Sequence, residues 1–388
     1  MRPMNYCCEC VYPEIAVNLI YDDEGICSAC RVAEEIELIS EHEWKIREKK
    51  FVEILENGRK RSQSRYDCIV AVGGGKDSYW QAHIVKEYGF NPLLVTYHGN
   101  NYFPEGQGNL DRMREVLGMD HLVLGPSVKT LVKLNRVCFK KMGDMNWHNH
   151  AGIDIVPMTV AVKFRIPIVV WGEIPWDVSG MFSPEDYVRY NKRMVLEHDM
   201  RGFSWQDMVG EEGLEEKDLE WLRMPTDEEF AEVGVEGIYI GNFFHWDPNK
   251  QVKTMIEKYK WEPSRQPFER TYRRMSNLDD MHENGIHDYM KYIKFGYGRA
   301  SDHASKDIRL NYMRRKEGIE MVRKYDHVKP RRDLARWLEY VDMTEEEFDR
   351  IADTFRDPRV WSKDSNGNWV KDNIWDFEER VSQIRRLS

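Results

Sequence analysis

Between residues 66 and 171, short apolar runs alternate with stretches of helical length, and no other feature constrains the fold as strongly. The runs at 67–72, 92–97, 121–124 and 167–171 read as strands. Those at 77–88, 109–117, 131–142 and 155–164 read as helices, the first two closed by Gly89 and Gly118. Strands that are apolar throughout, with helices between them, predict an α/β fold: a parallel sheet with helices on both faces. Ligands of such sheets sit at the carboxyl ends of the strands, so the site is expected at residues 73–78, 97–101 and 172–177. Beyond residue 180 the pattern is less regular. Residues 237–241 make one more strand candidate and the rest reads as helical, with Thr344 and Glu347 opening a capping box. The expected units are a Cys-rich head (1–35), a helical linker (36–65), the α/β domain (66–260) and a mainly helical C-terminal region (261–388). In the linker a charged helix is expected over 34–55, stopped by Asn57-Gly58 and followed by a polar connector.

The chain has 388 residues, with 57 Lys+Arg against 67 Asp+Glu and a formal charge of -10. The acidic balance argues against duplex DNA or bulk RNA as the main ligand, since phosphate neutralisation needs a basic surface. The most apolar run, 166–171, is far shorter than the ~18 residues of a membrane helix. With no apolar signal region after Met1, a cytoplasmic location is expected.

Seven cysteines occur, five of them within the first thirty residues. Cys7-x-x-Cys10 and Cys27-x-x-Cys30 are two knuckles, each placing two thiolates on one side of a tight turn. Together they match the zinc-ribbon template. Cys8 competes with Cys7 as a ligand, and Cys7 is favoured because it restores the interval to Cys10. Four thiolates leave no open position, so this zinc would be structural.

The segment Val70-Ala-Val-Gly73-Gly74-Gly75-Lys76-Asp77-Ser78 ends the first strand and opens a helix. It matches neither the Walker A pattern, which needs Ser/Thr after the Lys, nor the dinucleotide pattern, which needs Gly at 78. It still has the parts of a phosphate cradle: glycines that let N–H groups converge, a helix N-terminus, the charge of Lys76 and the hydroxyl of Ser78. Asp77 would repel phosphates unless a cation bridges them, and Mg²⁺ is the simplest bridge.

This loop resembles the pyrophosphate loop of the N-type ATP pyrophosphatases, Ser-Gly-Gly-x-Asp-Ser, with Gly73 in place of the leading Ser. The resemblance implies an adenine-nucleotide alpha-hydrolase-like fold and chemistry in which ATP adenylates a carbonyl oxygen and pyrophosphate leaves. From about residue 5 to 327 the chain further resembles the N-acetyl sugar amidotransferases. The cues are the head, especially Asp22 to Cys30, then Trp171-Gly-Glu173, Gly241-Asn-Phe-Phe-His-Trp-Asp247, and Tyr292 through Ser305. That family converts a sugar acetamido group to an acetamidino group in bacterial surface-polysaccharide or nonulosonic-acid biosynthesis. The resemblance implies ATP and Mg²⁺ as cofactors beside zinc, with Gly73, Gly74, Gly75, Lys76, Asp77 and Ser78 on the triphosphate. Lys76, Asp77 and Glu173 would be catalytic. Glu173 either binds Mg²⁺ or positions the nucleophile, against the plainer reading of a solvated turn carboxylate.

A glutaminase needs an activated Cys. Cys68 falls in the first strand and Cys138 in a helical run, so ammonia is expected from a separate partner, which the family likeness makes similar to the subunits of imidazole-glycerol-phosphate synthase. Lys294, Arg299, Asp302, His303 and Arg309, around two glycines, suit recognition of an acidic sugar or its nucleotide, against the alternative of a solvated helix face. His148 and His150 resemble a metal pair at i, i+2, against the favoured reading of ordinary histidines in a flexible loop, since no third ligand is visible nearby. The competing readings are a sulfur transferase, for which a reactive cysteine set is lacking, and a nucleotide-binding scaffold without catalysis.

Overall fold

The computed structural model describes residues 3–174 and 179–387; Asp177, in the third expected site segment, lies outside them. Five strands, β1 (Cys68–Ala71), β2 (Pro92–Tyr97), β3 (His121–Leu124), β4 (Ile168–Trp171) and β5 (Glu236–Tyr239), form one sheet in the order β3-β2-β1-β4-β5. Every pairing is parallel.

The alternation along β1 shows why its residues are apolar on both sides. Cys68 and Val70 pack in a core with Tyr79, Val85, Phe51 and Leu110, whereas Ile69 packs on the opposite face with Val156, Val160 and Ala161. The first face is covered by α2 (Glu41–Arg61), α3 (Lys76–Glu87) and α4 (Pro104–Leu117). The second is covered by α6 (Trp147–Phe164).

Several local expectations are corrected. The helix expected over 34–55 is two helices, α1 (Ser28–Glu37) and α2. They separate because Ser40 is an N-cap, its hydroxyl accepting from the Glu43 N–H at 3.1 Å. Asn57-Gly58 does not stop α2, which runs on to Arg61. Gly58 is there for packing: a Cβ at this position would lie 2.4 Å from Ile168 Cγ1 of β4. His148 and His150 lie in the first turns of α6, not in a loop. The C-terminal region contains, besides helices, a two-stranded antiparallel hairpin of Ser362–Lys363 with Trp369–Val370.

The C-terminal helices are built onto the α/β layer. Ile286, Met290, Leu334, Trp337 and Phe348 share a core with Phe139 of α5 (Val128–Met142). The head in turn rests on this region. Met4, Tyr6 and Val11 pack with Ala304, Trp361 and Ile374, and Arg315 donates to the carbonyls of Cys7 (2.9 Å) and Cys10 (3.0 Å).

Gly58→Ala should destabilise the protein by about 1–2 kcal/mol, because the methyl group forces α2 off β4 by more than the gain in helix propensity returns. Thermal denaturation read by circular dichroism checks this.

Candidate nucleotide and sugar site

β2 and β4 flank β1, and the chain leaves β1 and β4 towards opposite sides of the sheet, which opens a crevice at their carboxyl ends. The crevice is a cavity of about 610 Å³. Its floor is the glycine bend. Gly74 has φ +77°, and a Cβ there would meet the Leu110 backbone nitrogen at 2.9 Å, so only glycine fits. The Trp261 indole donates to the Gly74 carbonyl at 3.0 Å and locks the turn. Gly73 N–H donates to Ser78 Oγ at 2.8 Å. Gly75 caps α3, leaving that helix's first N–H groups directed at the cavity. Lys76 is 6% exposed and donates to Asp77 Oδ2 at 2.5 Å. Gln81, with its amide turned to suit its neighbours, donates to Ala71 O (2.9 Å) and accepts from Gly172 N–H (3.2 Å), so one side chain ties the ends of β1 and β4 together.

Gly73 stands where the resembling loop has Ser, and its surroundings account for that departure. A Cβ at 73 would lie 2.8 Å from Asp279 Oδ2. The room a serine would take is occupied by a carboxylate from the C-terminal region. Asp279 opens onto the cavity yet lies deep among protein atoms, and this desolvation, with the nearby charge of Asp77, pushes its carboxyl up. Asp280 beside it is pushed well up by burial and by Asp279. Asp77 Oδ1 is buried without a hydrogen-bond partner. An orphaned buried carboxylate oxygen with a second carboxylate near it, beside a helix N-terminus, fits a divalent cation such as Mg²⁺.

The opposite wall is the helix Arg299–Arg309, whose N-terminal N–H groups are held by the buried Asp326: Gly298 N at 2.9 Å and Ala300 N at 3.1 Å. Arg299, Asp302, His303 and Lys306 recur at helical spacing and all line the cavity. Arg299 is paired to Asp288 (2.9 Å) and Asp302 to Lys291 (2.7 Å). His303 shares a 2.6 Å hydrogen bond with Thr271, and burial, with Arg273 and Arg299 near, holds it well below the ordinary histidine range. Lys294 and Arg309 do not line this cavity: Lys294 reaches the Met142 carbonyl at 3.4 Å, and Arg309 lies over the Tyr12 ring.

Glu173 follows β4 and forms an ion pair with Lys306. Lys306 was not singled out in the sequence, although its spacing from Arg299, Asp302 and His303 is the signal that marks it. Burial and the charge of Lys76 bring its amine down to about 7. Arg273, bound to Asp307 at 2.5 Å, is a second cation on the cavity that the sequence reading missed, and Asp279 and Asp280 were missed with it. Short polar segments without periodicity gave no signal for these three.

In the head, Cys7 Sγ is 3.9 Å from Cys30 Sγ and Cys10 Sγ is 3.7 Å from Cys27 Sγ. A tetrahedron with Zn–S bonds of ~2.3 Å has edges of ~3.8 Å, so the four sulfurs fit zinc. The N–H groups of Cys10 and Cys27 each donate to Cys7 Sγ at 3.4 Å, while Cys8 is exposed and outside the cluster.

Residues 256–378 match the family model for the C-terminal domain of WbpG-like LPS biosynthesis proteins. That match spans about a third of the chain. The matched segment supplies Arg273, Asp279, Arg299, Asp302, His303 and Lys306, which is the wall facing the glycine bend. A solved structure of NMN synthetase from Francisella tularensis is 15% identical over 58% of this chain and 98% of its own, with a TM-score of 0.29, too low to bear on function. No curated protein matches the sequence. Among the described residues no helix is long and apolar enough to cross a membrane.

The protein should contain about one zinc per chain by elemental analysis, and Cys27→Ser should lose that zinc together with thermal stability. A second expectation concerns Lys306. Triphosphate charge beside its amine raises the pKa, so ATP binding near pH ~8 should take up protons, and near pH ~6, where the amine is already protonated, it should not. Calorimetry in buffers of different ionisation enthalpy measures the uptake, which Lys306→Arg should abolish.

Proposed function

We propose that the protein is an ATP-dependent, AMP- and pyrophosphate-forming amidotransferase acting on an N-acetylated sugar of bacterial surface-polysaccharide biosynthesis. The supporting observation is that one cavity joins the pyrophosphate-loop-like bend to the wall contributed by a domain named for LPS biosynthesis.

On this reading the N–H groups of Gly74, Gly75 and the first turn of α3 receive the β- and γ-phosphates, and Lys76 neutralises them. Mg²⁺, held by Asp77 and Asp279, would offset the charge building on the departing pyrophosphate. The acetamido oxygen attacks the α-phosphorus, the bond to pyrophosphate breaks, and AMP is left on the oxygen. Ammonia then adds to the imidate carbon, and the C–O bond to AMP breaks. The entering nitrogen sheds its extra proton, and Lys306, oriented by Glu173 and with its amine back at about 7 once the pyrophosphate has left, is placed to take it. Arg273 and Arg299 present guanidinium groups suited to a carboxylate or phosphate on the sugar. A separate glutaminase partner supplies the ammonia.

The sulfur-transferase alternative is less well supported. Cys68 and Cys138 are fully buried and burial pushes both thiols well up, the opposite of what a persulfide carrier needs.

Candidate acetamido sugars incubated with ATP, Mg²⁺ and ammonium should yield AMP, pyrophosphate and a product lighter by about one mass unit, as oxygen gives way to NH. Asp77→Asn should reduce the rate by at least about a hundredfold with the fold unchanged. Substrate-independent ATP binding with no AMP would identify a scaffold instead.

A further inference from the structure

Behind the main cavity, α6 with the turn that precedes it and the helix Asn284–Phe295 bring together three residues from two distant segments of the chain. Asp144, His150 and His287 each offer a ligand atom, and these atoms lie within 4.8 Å of one another. We infer that this cluster is a second metal site, a two-histidine, one-carboxylate set for a divalent first-row transition ion, distinct from the thiolate head.

Three observations carry it. The Asp144 carboxylate has no solvent exposure, and its Oδ1 shares a 3.0 Å hydrogen bond with His287 Nδ1. Two ligands at ~2.1 Å from one ion and at right angles to each other are ~3.0 Å apart, so the pair has the spacing of adjacent octahedral positions. The other oxygen, Oδ2, is held by Arg201 Nε at 2.7 Å, an outer contact of the kind that fixes a ligating carboxylate. Finally, His150 Nε2 is buried without a hydrogen-bond partner, although the ring lies 5.6 Å from that of His287. A buried imidazole nitrogen without a partner costs about 1–3 kcal/mol, and ligation removes that cost.

The cluster sits in a dividing wall. His150 lines the main cavity, and His287 lines a neighbouring cavity of about 510 Å³ together with Arg201, Lys291 and Lys294. Three protein ligands leave positions open, as in sites that take a further oxygen or nitrogen donor. Imidazole and carboxylate favour Mn²⁺, Fe²⁺, Co²⁺ or Zn²⁺ over Cu⁺, which would prefer the sulfur of the head. The inference does not depend on the proposed amidotransfer, since it concerns binding alone.

Co²⁺ titration of the full chain with its zinc head intact tests it. One Co²⁺ per chain should bind with visible bands and without thiolate-to-cobalt charge transfer. His150→Gln and His287→Gln should each weaken binding at least about tenfold while head zinc and the circular dichroism spectrum stay unchanged. Wild-type protein that takes up no Co²⁺, or takes it up only with charge-transfer bands from the head, overturns the inference. So does binding unchanged in both variants. The wild-type titration decides the matter even if a variant fails to fold.

Discussion

The site depends on the divergence of β1 and β4. Two neighbouring parallel strands whose chains turn to opposite faces leave a gap that no helix can fill, and the sheet's carboxyl end is open there. The glycine bend exploits this gap because its backbone, unlike that of a side-chain-bearing loop, can pass beside Leu110 and still aim its N–H groups outward. Gln81 holds the two strand ends at a set separation, so the cradle rests on the sheet and not on a free loop.

The C-terminal region then closes the gap with charge. Asp279 stands over Gly73, Lys306 meets Glu173, and Arg273 and Arg299 are fixed by Asp307 and Asp288. Each of these ionic groups is paired or opens onto the cavity, which is how so many charges can be kept in a partly dry place. The head takes part indirectly. It packs on the helix Arg299–Arg309 through Ala304, so its metal would brace the wall that carries Lys306.

The α/β class, the parallel sheet, the strand positions and the glycine bend were legible in the sequence because each is a local pattern. Apolar runs, their lengths and a glycine triplet after a β-branched run need no knowledge of distant residues. The four-cysteine cluster was legible for the same reason, since the spacing of two short knuckles is itself a local pattern. Gly58 was misread as a stop signal because glycine has two uses, a helix end and a close approach, and only the position of Ile168 tells them apart.

Which charges meet was decided by tertiary structure. Asp279 and Gly73 are more than two hundred residues apart, and nothing near either one announces the other. His150 looked unsupported because His287, more than a hundred residues further on, is brought to it and to Asp144 only by the tertiary fold. The sequence by itself determined the elements and the cradle, through short-range periodicity and turn chemistry. The cavity's far wall, the lowered amine of Lys306 and the histidine–aspartate cluster follow from burial and from contacts between distant segments, which local patterns do not encode.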